Sequence, residues 1–302
     1  MKRVLVTGAR GFIGRHTLTP LAAAGFETHA ITSKGAGPSA HGTAWHTANI
    51  LDPRETAAVV ARVQPSHLLH LAWYTEHGRF WNAPVNVSWT AGSLALLNAF
   101  HQHGGRRIVT AGTCVEYGPS PAPCREGETP LVPRTMYGIC KHALQSMTTA
   151  FAAATGISSA WGRIFLLYGE DEAPNRLVPA VIRALLRGEP ARCSHGNQIR
   201  DFLDAEDVAS AFVALLDSDV GGPVNIGAGQ PTTIKQVVET IGRQIGRPEL
   251  IHFGAIAAAP DDPPVLSADT AKLRTEVGWR PRYDLETGLA RAIGWWRQHP
   301  DR

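Results

Sequence analysis

Lys2-Arg3-Val4-Leu5-Val6-Thr7-Gly8-Ala9-Arg10-Gly11-Phe12-Ile13-Gly14 is the stretch whose reading decides the fold. An apolar run of strand length, Val4-Leu5-Val6, breaks into glycines spaced Gly-x-x-Gly-x-x-Gly, and a helix is predicted from about Phe12 to Ala24. Glycine lets the backbone turn sharply and approach a ligand closely. The helix that follows presents its positive N-terminal end, so the junction reads as a seat for a pyrophosphate. A glycine triad alone is weak; after a strand and before a helix it is strong.

A second stretch, Thr110 to Lys141, carries the chemistry. It begins in the apolar run Ile108-Val109-Thr110-Ala111, crosses a loop rich in Pro and Gly from Gly118 to Pro133, and ends in Tyr137-Gly138-Ile139-Cys140-Lys141. Residues four apart share one face of a helix, so the phenol and the ammonium point the same way. A phenol titrates near ~10, and a fixed cation beside it is expected to pull that value down towards neutrality.

Thr7-Gly8-x-x-Gly11-x-x-Gly14 with Tyr137-x-x-x-Lys141 resembles the extended short-chain dehydrogenase/reductase family of NAD(P)-dependent nucleotide-sugar epimerases, dehydratases and reductases. The likeness spans nearly the whole chain. It implies an α/β fold, a Rossmann-type parallel sheet with helices on both faces and a smaller C-terminal substrate lobe. The expected division is 1–168 for the dinucleotide domain, with a returning segment near 199–222, and 169–302 mainly for the substrate domain.

The resemblance assigns roles residue by residue. Gly8, Arg10, Gly11, Phe12, Ile13 and Gly14 form the cofactor turn. Ser33 and Lys34 follow the second strand, Glu27 to Thr32, where an enzyme preferring NAD places an acid on the adenosine 2′-hydroxyl. With no acid there, and with Arg10 close by, the expected cofactor is NADP(H), NAD(H) being the alternative. Asn49 and Ile50 fall beside the adenine. Leu71 and Ala72 end the fourth strand, which passes under the cofactor.

Thr113 takes the catalytic Ser/Thr position, Tyr137 passes the proton, and Lys141 tunes the phenol and holds the nicotinamide ribose. The 4,6-dehydratases of the family carry Asp then Glu after the Thr; Cys114 and Val115 stand here, which disfavours dehydration. Glu116 alternates to the face opposite Val115 and receives no role. Expected substrate contacts are Trp73, Thr113, Cys114, Asn175 and Arg200. Trp73, with Tyr74, Phe80 and Trp81, either stacks on a sugar or base or packs a lid loop. Leu166 replaces the Asn of the family's Arg-x-x-Asn-x-Tyr-Gly, and 257–262 lacks its second phosphate-binding Arg. Apolar residues at 87, 91, 94, 97 and 100 predict the core face of a helix from Val85 to His103.

Composition excludes other classes. The net charge of +3 is spread, with no basic run longer than Arg106-Arg107, so no nucleic-acid surface is expected. Four cysteines at 114, 124, 140 and 193 show no metal-ligand spacing, and reduced thiols with no metal are expected. No apolar run reaches the length of a membrane span, and no signal-like segment precedes the first strand, so a cytoplasmic protein is expected.

These readings converge on an NADPH-dependent reductase of a nucleotide-activated 4-keto-6-deoxyhexose. The alternative is a nucleotide-sugar 4-epimerase with tightly bound NAD, and a third reading is a non-catalytic NADP-sensing regulator. Family members dimerise through the helices around Val85–His103 and Tyr137–Ala154, so a homodimer is expected.

Overall fold

Strands that run parallel need a crossover between them, and the first half of the chain supplies helices for that purpose. The structure, a computed structural model, describes residues 2–35, 37, 42–259 and 262–302. In order come β1 (Lys2–Thr7), α1 (Gly14–Ala23), β2 (Phe26–Thr32), β3 (Ala44–Thr47), α2 (Pro53–Val63) and β4 (His67–His70). They are followed by α3 (Val85–Gln102), β5 (Arg107–Thr113), α4 (Met136–Thr155) and β6 (Ser158–Ile164). Asp52 caps α2, accepting from the amides of Arg54 and Glu55, and Pro53 pre-sets the first turn.

A seven-stranded parallel sheet results, in the order β10-β6-β5-β4-β1-β2-β3, where β10 is Gly222–Ile226. Strand addition reverses between β1 and β4, and such a switch point opens a crevice at the carboxyl ends of the strands. Both faces are covered. Val4 and Val6 point into one cluster with Leu21, Phe212 and Val224, while Leu5 points into another with Val60, Leu96 and Phe100. This alternation is the two-residue period of a strand buried on both sides.

Beyond β6 the chain builds the smaller lobe from β7 (Leu166–Tyr168), α5 (Leu177–Arg187), β8 (Ala191–Arg192) and β9 (Ile199–Asp204). It then passes through α6 (Ala205–Asp217), β10, β11 (Pro231–Thr233) and α7 (Ile234–Ile245). β12 (Ile251–His252), β13 (Val265–Leu266), α8 (Ala271–Thr275) and α9 (Leu285–Gln298) complete it. β9 lies between β11 and β13 and also pairs with β7, so 199–204 belongs to the small sheet. The returning segment is therefore α6 with β10, which extends to Ile226: Phe212 and Leu215 enter the core beside α1, and β10 pairs with β6. A separate core of Tyr168, Ile182, Val237, Ile241, Leu289 and Trp296 holds the lobe together.

The inner face of α3 differs in part from the one predicted: Leu97 and Phe100 are buried as expected, but the face has turned towards other positions. Val87 is 57% exposed and Ala91 is also exposed, whereas Asn86, Gly92, Ser93, Leu96, Leu97 and Phe100 are buried. Gly92 abuts the Ile50 carbonyl, where a Cβ would come within 2.6 Å. Asn86 and Ser93 turn inward because Trp73 and His70 supply their hydrogen-bond partners. An apolar count cannot detect a face that is partly polar. Among the described residues no helix is long and apolar enough to cross a membrane.

Candidate active site

The carboxyl ends of β1, β4 and β5 meet at the switch point. Gly8 has φ +76°, and a Cβ there would lie 2.7 Å from the Ala72 amide nitrogen; one on Gly14 would lie 2.1 Å from the Gly8 carbonyl oxygen. The Gly11 amide closes a turn on the Gly8 carbonyl at 2.8 Å, so α1 starts at Gly14 and not at Phe12. No side chain caps α1 and no acid occupies its first turn. The Arg15 and His16 amides are used on the Gly11 and Ile13 carbonyls, but the macrodipole has no acid to meet it, and the glycine cradle leaves room for an external anion, so these residues fit a dinucleotide's diphosphate.

The remaining cofactor candidates line the same rim. The Arg10 guanidinium donates to the Lys34 and Gly35 carbonyls, bringing its charge across the end of β2, where Ser33 and Lys34 are exposed. Asn49 uses its side-chain oxygen locally, accepting from the Leu51 amide at 3.1 Å, and Ile50 is buried in the core. Leu71 and Ala72 are tied to Thr7, their amides donating to its carbonyl and hydroxyl oxygens at 3.2 Å each. His70 is enclosed between the hydroxyls of Thr7 (2.7 Å) and Ser93 (2.8 Å). Burial, with a smaller push from Lys141, lowers its imidazole to about 3, so it stays neutral.

Thr135 caps α4 by accepting from the Gly138 amide, and the helix then presents Tyr137 and Lys141 to the end of β5. The Lys141 ammonium donates to the Ala111 carbonyl at 2.7 Å, two residues before Thr113. Burial lowers this ammonium to about 7, opposed by the Glu116 carboxylate. Burial also pushes the Tyr137 phenol above its ordinary range; the Thr113 hydroxyl, which hydrogen-bonds it, opposes this most. The expected fall of the phenol towards neutrality does not occur, because desolvating a phenolate costs more than its neighbours return.

Glu116, left unassigned from sequence, sits in a single 3-10 turn, Cys114–Glu116, not on an alternating strand. It is fully buried. Its carboxylate accepts from the Thr113 amide (2.9 Å), the Trp161 indole (2.9 Å) and the Arg163 guanidinium (2.8 Å). Arg163 continues to the Tyr117 hydroxyl, which donates to Asn225 of β10 at 2.8 Å. No sequence signal pairs them: Arg163 comes next to the turn that holds Glu116 only through the β5–β6 register, in which it lies opposite Gly112.

The structure brings Trp73 to the catalytic pair and leaves others apart. The Lys141 ammonium lies 3.9 Å from the Trp73 ring centroid, and Trp73, Phe80 and Trp81 all meet the Tyr137 ring edge-on. Cys114 packs with Tyr117, Cys124 and Phe165, and burial pushes its thiol to about 12, so it cannot act as a base. Asn175 is exposed just before α5, and Arg200 is buried in an ion pair with Asp262. Of the stretch lacking a second phosphate clamp, Pro260 and Asp261 lie outside the described residues. Sequence reasoning also missed Arg176, whose guanidinium lies 5.8 Å from the Phe80 centroid and near enough to Tyr137 to favour its charged form. No spacing signal marks it.

Fold and site together define a dinucleotide-dependent enzyme of the extended short-chain dehydrogenase/reductase class. The chain belongs to the NAD dependent epimerase/dehydratase family, whose model matches residues 4–227. It is 31% identical over 329 residues to a UDP-glucose 4-epimerase of Azospirillum brasilense, spanning 98% of this chain and 92% of that protein. It is 28% identical over 309 residues to UDP-glucuronic acid decarboxylase 1 of Xenopus tropicalis, across 98% of this chain and 72% of that one. Among solved structures, MoeE5 in complex with UDP-glucuronic acid and NAD is 29% identical, with a TM-score of 0.83 over 98% of this chain and 99% of that one.

Proposed function

We propose that the chain is a nucleotide-sugar 4-epimerase. The observation that carries this reading is the buried cluster in which Thr113 hydrogen-bonds the Tyr137 phenol while Lys141 is anchored on Ala111. Support comes from the 4-epimerase relatives, which span the chain end to end, and from Cys114 and Val115, which offer no acid for dehydration. Bound nicotinamide would supply a reversible hydride acceptor. Tyr137 takes the proton of the sugar's carbon-4 hydroxyl as that carbon loses hydride, and gives it back after the 4-keto sugar has turned over. Thr113 steadies the oxygen throughout by donating its hydroxyl. Carbon, hydride and proton all return, so there is no net redox change.

A second reading, the NADPH-dependent 4-ketoreductase, is supported by Arg10, Ser33 and Lys34, which bring two cations and no described acid to the end of β2. The solved structure named above, MoeE5, holds NAD, which favours the first reading. Purified protein with UDP-hexoses and NAD tests it: isomerisation at carbon 4 by proton NMR is expected. Stoichiometric loss of NADPH absorbance with a nucleotide 4-keto-6-deoxyhexose, without isomerisation, overturns it in favour of the reductase.

The protein also acts as a homodimer in this reading. Val87 on α3 and Ile139 and Met147 on α4 are 57%, 49% and 51% exposed, an apolar strip on adjacent helices that a second copy would cover. Light scattering of Ile139→Glu with Met147→Glu is expected to show a monomer.

A further inference from the structure

We propose that Trp73 is a positioning residue for Lys141, an indole locked by Asn86 that seats the ammonium and aims it at the end of β5. The indole N–H donates to the Asn86 side-chain oxygen at 2.8 Å. Asn86 is fully buried and is fixed in turn by donating to the Phe80 carbonyl at 2.7 Å and the Ala83 carbonyl at 2.9 Å. Trp89 backs the indole at 6.0 Å between centroids. The ring therefore cannot turn without breaking a part-buried hydrogen bond, and its face is presented to the ammonium at 3.9 Å.

An ammonium has three donors and no acceptor. The Ala111 carbonyl takes one, and the indole face covers another side. Among the described residues no carboxylate forms an ion pair with Lys141. The groups that face it are Glu116 from the turn after β5, His70 from β4, Tyr137 on its own helix and the Trp73 ring. His70 is held neutral and the Glu116 charge is shared with Arg163, so the ring face and the Ala111 carbonyl are the contacts that favour the charged ammonium. Attraction between a desolvated cation and an indole face is strong enough to decide whether a buried lysine is charged.

The proposal takes the catalytic part of Lys141 from the reading above, but its first test needs no turnover. The full chain is labelled with 13Cε-lysine, and the Lys141 signal is assigned by its loss in Lys141→Met. Trp73→Leu and Trp73→Met replace the ring by apolar bulk, and either variant that folds carries the test. The Lys141 titration midpoint is expected to fall by roughly half to one pH unit in these variants, while Trp73→Phe keeps most of the parent value. The alkaline limb of turnover is expected to move down by the same amount. An unchanged midpoint in a folded apolar variant, or a fall in Trp73→Phe equal to that in Trp73→Leu, overturns the proposal. A lowered midpoint with an unmoved turnover profile sustains the seat and counts against the part of Lys141 in the reaction.

Discussion

Glu116 and Arg163 form a fully enclosed ion pair, 2.8 Å between carboxylate oxygen and guanidinium nitrogen, directly beneath the Thr113 amide. Two charges taken out of water are tolerated only when every remaining lone pair and proton is satisfied, and here Trp161, Tyr117 and Gln145 complete the set. Glu116→Ala strands the guanidinium and is expected to cost about 3–5 kcal/mol in urea unfolding. Glu116→Leu with Arg163→Met recovers most of that. Turnover is expected to stay at least ~10-fold down in the double variant, because the Thr113 amide has lost its anchor. Parent-level activity there means the pair serves stability alone.

In the proposed mechanism Tyr137 passes the proton, and Tyr137→Phe removes its hydroxyl and little else. Turnover is expected to fall by roughly 10²–10⁴-fold, with cofactor affinity by calorimetry unchanged within a few-fold. A variant that works at the parent rate sinks the mechanism.

His70 predicts acid sensitivity. Its folded value of about 3 lies below the 6.5 of the unfolded chain, so between these the unfolded state binds the extra proton and stability falls as pH falls. His16, lowered to about 4 chiefly by burial, adds in the same direction. Urea midpoints of the parent should drop steadily below pH 6.5, and those of His70→Gln less steeply. Parallel curves would remove His70 as the cause.

Lys141 is kept at a cost to stability. Its folded value of about 7, against 10.5, means that the fold disfavours the charged form and stability rises with pH between these limits. Lys141→Met is expected to unfold a few degrees above the parent at neutral pH while losing activity. A lower melting temperature would show that the Ala111 and Trp73 contacts outweigh burial.

The cofactor rim can be re-read by charge. Lys34→Glu with Arg10→Ala places an acid where a 2′-phosphate would sit, and the ratio of NADP(H) to NAD(H) affinity should fall at least ~10-fold. An unchanged ratio would mean that neither cation meets the adenosine.

What the sequence determined by itself was whatever is written in neighbouring residues. Val4-Leu5-Val6 followed by Gly8, Gly11 and Gly14 specifies strand, turn and helix, and Tyr137 with Lys141 specifies one helix face, because both patterns depend on backbone geometry within a few residues. Tertiary structure decided what depends on which strands lie side by side. The β5–β6 register brings Arg163 opposite Gly112 and gives Glu116 a partner, 47 residues away in sequence. Packing α3 through Gly92 and Asn86 turned Val87 outward and locked Trp73 over Lys141. Desolvation then set the sign of the Tyr137 shift. Burial belongs to the assembled fold, so no spacing rule could have predicted that direction.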